Sequence, residues 1–82
     1  MATIYKVRTP HKHYLRLRMF PRFNAQVVGF IPNRTSLQIQ HIKDGWGYTT
    51  YEGIVGWVYM RYLKKKFTWD TFLRKETDER HI

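Results

Sequence analysis

Arg16, Arg18 and Arg22 fall close together and are interleaved with Leu17, Met19, Phe20 and Phe23. A guanidinium pairs in a fork with carboxylate or phosphate and stacks on flat groups, so arginine among aromatics suits recognition of an anionic partner. A solvated strand face is the plainer reading. Phe20 and Phe23, set in a polar loop, favour binding. Arg34, beside Asn33 in a turn, is a fourth candidate. Two tryptophan–tyrosine pairs add stacking surface: Trp46 with Tyr48, and Trp57 with Tyr59, each two residues apart and so on one face of a strand. Trp46 either forms an exposed platform or covers an open end of the fold. Trp57 reads first as structural.

Other chemistry lacks its parts. Residues 1–66 hold two carboxylates, Asp44 and Glu52, both beside a glycine in a turn signal, and Ser36 is the sole serine. No activated nucleophile, acid–base pair or glycine-rich phosphate loop can be assembled from these. His11 and His13 flank Lys12, with no cysteine or carboxylate nearby, which is a poor cation site. The expectation is a non-enzymatic chain that takes no cofactor and no metal.

The elements that must position the candidates are short. Runs of β-branched and aromatic residues, broken by turn signals, fill residues 2–63 and predict a compact all-β body. Thr3 to Arg8 reads as a first strand. Tyr14-Leu15-Arg16-Leu17-Arg18 alternates, sending Leu15 and Leu17 inward and Arg16 and Arg18 outward. Gln26 to Ile31 follows, then a turn with Pro32 at its second position. Ser36 to Ile42 reads as one strand with Leu37 and Ile39 inward. Asp44-Gly45 is a two-residue hairpin signal joining it to Trp46–Tyr51. Glu52-Gly53 turns again into Ile54–Val58, and Tyr59 to Leu63 reads as one helical turn.

At 82 residues there is room for one domain, and only about 60% of the unfolded surface of so small a chain can be buried. With no cysteine, apolar packing must supply the stability; 43% hydrophobic and 17% aromatic residues provide it. The net charge of +9 is unevenly spread. Residues 1–66 carry twelve lysines and arginines against two acids, whereas residues 67–82 carry three against four. A body this basic attracts polyanions. The N-terminus has no apolar leader run, so the expected location is the cytoplasm, or the cell wall if the chain is cut from a secreted parent or released by lysis.

Lys64-Lys65-Lys66 reads as a basic linker that could extend the surface offered to a polyanion, and the pattern then changes. Thr68 suits a helix N-cap, with Asp70 in the first turn, and Trp69, Phe72 and Leu73 share a helical face. The expected division is a barrel over 1–63 and a linker with an amphipathic helical tail over 64–82. The Trp69, Phe72 and Leu73 stripe would pack on the barrel or form a homodimer or partner contact.

Read together, Leu15-Arg16-Leu17-Arg18, Pro21, Val27-Val28-Gly29, Pro32, Thr35, Asp44-Gly45-Trp46, Gly53, Gly56-Trp57-Val58 and Tyr62-Leu63 resemble the bacterial Src-homology-3 domain over about residues 3–63. The Asp44-Gly45-Trp46 and Gly56-Trp57-Val58 elements are the specific part. The resemblance implies a small SH3-like barrel of five to six short strands, without catalytic machinery, that binds wall peptide or glycan or a protein partner. Phe20 stands where the family has glycine before Pro21, and Arg34 where it has the turn glycine before Thr35.

Charge and resemblance together predict a basic binding module, an adaptor or inhibitor of the phage or mobile-element kind. Its expected partner is an acidic protein, a nucleoprotein or nucleic acid. Recognition of peptidoglycan is the alternative. The expected binding residues are Arg16, Arg18, Phe20, Arg22, Phe23, Arg34, Trp46, Tyr48, Trp57 and Tyr59.

Overall fold

The structure is a computed structural model and describes residues 3–10 and 13–66. Eight short strands make up the described chain: β1 (Thr3–Val7), β2 (Tyr14–Arg18), β3 (Val27–Pro32), β4 (Ser36–Ile39), β5 (His41–Lys43), β6 (Trp46–Tyr51), β7 (Ile54–Tyr59) and β8 (Leu63–Lys65). A single 3₁₀ turn, Met60–Tyr62, separates the last two. All pairings are antiparallel. One sheet runs β4-β1-β8 and the other β3-β2-β7-β6-β5. The all-β barrel expected from the sequence is the fold.

Alternation builds the core. Leu15 and Leu17 of β2, Leu37 and Ile39 of β4, Val7, Ile31 and Val58 are buried and pack as one cluster. Tyr5, Tyr51, Met60, Tyr62 and Leu63 close around it. Removing these apolar faces from water is the main term holding so small a sheet pair together. Thr49 is wholly buried, and its hydroxyl donates to the Gln38 carbonyl at 2.9 Å, tying β6 to β4 across the two sheets. The turns behave as their residues require. Asp44 and Gly45 have φ of 50° and 82°, and Glu52 and Gly53 have 50° and 79°, the paired positive values of two-residue hairpins.

Four details differ from the sequence expectation. Ser36 to Ile42 is two strands, because the chain leaves one sheet for the other at Gln40: β4 pairs with β1, and β5 with β6. The Gln40 amide already donates to Tyr48, at 3.0 Å. Lys64 and Lys65 belong to a strand and are not linker, since β8 pairs with β1 and the Lys66 amide donates to the Ile4 carbonyl at 2.9 Å. With these changes the strand number rises from the expected five or six to eight. Pro32 ends β3 and takes the first turn position, its carbonyl accepting from the Thr35 amide. This puts Arg34 at the third position with φ of 73°, where left-handed backbone is needed. His13 is exposed, while His11, Lys12 and the helical tail with Trp69, Phe72 and Leu73 lie outside the described residues.

Candidate functional site: an aromatic cleft walled by arginine

The outer face of the five-stranded sheet carries the candidates, because directly opposed residues in antiparallel strands point the same way. Trp46 of β6 lies opposite Tyr59 of β7, and Tyr48 opposite Trp57. Trp57 in turn lies opposite Arg18 of β2, and His41 of β5 opposite Tyr48. A row His41–Tyr48–Trp57–Arg18 therefore crosses four strands. Its rings are in contact: Tyr48 and Trp57 centroids are 5.2 Å apart, His41 and Trp57 6.1 Å.

The neighbouring row is deeper. Trp46 and Tyr59 meet at 5.2 Å with their rings tilted by 51°, and Phe23, from the loop between β2 and β3, sits edge-on to both at 4.9 and 4.7 Å. Trp46 is only 5% exposed, whereas Phe23 is 61% exposed. Trp46 is thus a covered floor rather than an open platform. Phe23 forms one wall, with Tyr14, Arg16, Arg18 and Tyr62 completing a cleft of about 90 Å³. Leu15 and Thr9 also line it. That volume holds one side chain or a small polar group, well short of the few hundred Å³ of a typical small-molecule pocket.

The loop that presents Phe23 is held to the sheet. The Arg18 Nη1 donates to the Ala25 carbonyl at 2.9 Å, the Met19 amide to Gln26 at 2.8 Å, and Ala25 is buried. Arg18 is therefore not the free outward cation expected from alternation; it is half-buried and positions the loop. Arg16 stays exposed. Gly56 makes the crossing of β2 over β7 possible: a Cβ there would stand 2.8 Å from both the Arg18 carbonyl and Leu17 Cγ.

The structure divides the ten candidates. Arg16, Arg18, Phe23, Trp46 and Tyr59 meet at the cleft, and Tyr48 and Trp57 lie in the next row. Phe20 and Arg22 pair with each other, the guanidinium carbon 5.2 Å from the ring centroid, and neither lines the cleft. Arg34 is elsewhere, in a depression with Lys6, Arg8, Pro10 and Asn33. Sequence reasoning missed Tyr14 and Tyr62. Tyr14 is on the Arg16 and Arg18 side of β2 by simple alternation and could have been found. Tyr62 is placed by the 3₁₀ turn, which alternation does not reveal.

The model of the bacterial SH3 domain matches residues 13–64. The chain belongs to that family. The matched span runs from the start of β2 into β8 and takes in every residue of the cleft except Thr9. A search of curated proteins returned no match. The family establishes this SH3 barrel as a binding module in kind.

Proposed function

We propose that this SH3 barrel is a non-catalytic adaptor or inhibitor, acting in the cytoplasm, that seats an acidic segment of a protein partner in the Phe23–Trp46–Tyr59 cleft. The observation that carries the reading is the cleft itself: a buried tryptophan floor and an exposed phenylalanine wall, with Arg16 and Arg18 at the rim. Aromatic anchors with arginine are the side chains that dominate protein interfaces. The apolar floor takes one partner side chain, and the exposed Arg16 guanidinium pairs with a carboxylate next to it.

The test is an amide NMR titration of the full chain with a glutamate-rich peptide carrying a single leucine. Shifts should concentrate on Tyr14, Arg16, Phe23, Trp46 and Tyr59. Phe23→Ala should weaken binding about tenfold or more, as expected for an anchor, while the chain still folds with a stability loss of about 1 kcal/mol from the lost edge contacts with Trp46 and Tyr59. Retention on purified peptidoglycan that Phe23→Ala and Arg16→Ala leave unchanged would instead support wall recognition and defeat the acidic-partner reading.

A further inference from the structure

The opposite sheet has a different character. On β4-β1-β8 the inward positions are Tyr5, Val7, Leu37, Ile39 and Leu63, so Lys6, Ser36 and Lys64, which are register partners, share the outer face. The Lys66 ammonium reaches across β1 to the Ser36 hydroxyl at 3.2 Å. Lys6 leads through Arg8 to Arg34, whose amide donates to Val7, and these cations border an open depression of about 470 Å³.

Two choices on this face work against stability. Lys6 and Lys64 are directly opposed, and like charges in that relation repel. Arg34 occupies a left-handed conformation that glycine adopts more easily. Lysines on an edge strand discourage sheet-to-sheet aggregation, which accounts for β8. That does not account for Lys6, which is on the central strand of this sheet, or for Arg34 in its turn. Both described acids, Asp44 and Glu52, lie in hairpin turns of the other sheet.

We propose that Lys6, Arg8, Arg34, Lys64 and Lys66 form a second binding face, independent of the aromatic cleft, for the phosphate backbone of duplex nucleic acid. The exposed large apolar side chains, Phe20, Phe23, Phe30, Ile42, Ile54 and Val55 among them, all lie off this face. Among the described residues Ile4, half-buried, is the apolar side chain on this face, so the face offers little wedge to a bilayer and no stacking ring to unpaired bases. What it does offer is fixed positive charge at strand spacing, which reads phosphates without reading sequence. The four residue steps of extended chain from Ile4 to Arg8 span roughly 13 Å, which is about four base-pair rises.

Fluorescence anisotropy of the full chain with a 5′-labelled duplex of about 20 base pairs, at salt from about 50 to 200 mM, tests this directly. About four neutralised phosphates predict a log–log salt slope near −3.6 and a loss of roughly a hundredfold over that range. Lys6→Gln with Lys64→Gln should reduce the slope by about 1.8, whereas Arg22→Gln with Lys43→Gln, which removes the same charge elsewhere, should leave it nearly unchanged. Thermal melts confirm that both variants fold. Equal losses from the two double variants would show that net charge alone is responsible and would overturn the proposal. So would absence of duplex binding, or binding to phosphatidylserine vesicles in preference to the duplex. Phe23→Ala should leave the slope intact, so failure here is distinguishable from failure of the cleft reading.

Discussion

Single residues set the two faces apart. Arg16 and Arg18 alternate identically in sequence, yet only Arg18 holds a backbone carbonyl, that of Ala25. Arg18→Ala should cost about 1–2 kcal/mol in urea denaturation, because a half-buried charged donor is lost and the Phe23 loop is released. Arg16→Ala should stay within about 0.5 kcal/mol, as for an exposed side chain. Arg34 gives the opposite expectation. Arg34→Gly removes a left-handed penalty of about 1–2 kcal/mol, partly offset by glycine's greater freedom when unfolded. The variant should gain about 0.5–1 kcal/mol in stability and lose duplex affinity, which the same denaturation curves and anisotropy would report.

At the scale of elements, the position of β2 on β7 decides the cleft. Arg18 and Trp57 are the pair that joins these strands, and Gly56 beside them leaves no space for a methyl group. Gly56→Ala should destabilise the barrel by about 1–3 kcal/mol and broaden the Trp46 and Tyr59 ring signals, since the strands must move apart. The other junction is β8. A chain ending at Lys66 keeps its pairing with β1, including the bond from the Lys66 amide to Ile4, while one ending at Leu63 loses most of it. The shorter chain should be less stable by about 1–3 kcal/mol, measured by thermal melting. Equal stability would return Lys64 and Lys65 to the linker assigned by composition.

For the whole molecule, charge and shape act together. A chain at +9 with two acids in residues 1–66 repels itself at low ionic strength. Its melting temperature should therefore rise as salt is raised from about 10 to 150 mM, over which range the Debye length falls from roughly 30 to 8 Å. Duplex binding should weaken over the same range. Binding of the glutamate-rich peptide at the aromatic cleft should weaken less steeply, because its carboxylate pairing with Arg16 is screened but the burial of its leucine on the apolar rings is not. The combination gives two partners unequal salt sensitivity on one small barrel, and a saturating peptide should not displace the duplex.

Local pattern alone determined the class of fold, the inward set Leu15, Leu17, Leu37 and Ile39, and both hairpins, because two-residue alternation and positive-φ turns are written in neighbouring residues. Tertiary structure decided the rest. The break at Gln40, the capture of Lys64 and Lys65 as a strand and the division of Arg34 from Arg16 depend on which distant strand supplies the missing hydrogen bonds. Likewise Trp46 is a covered floor only because Phe23 and Tyr59 arrive over it from other segments of the chain. Alternation tells which way a side chain points; what it meets there is fixed by sheet closure.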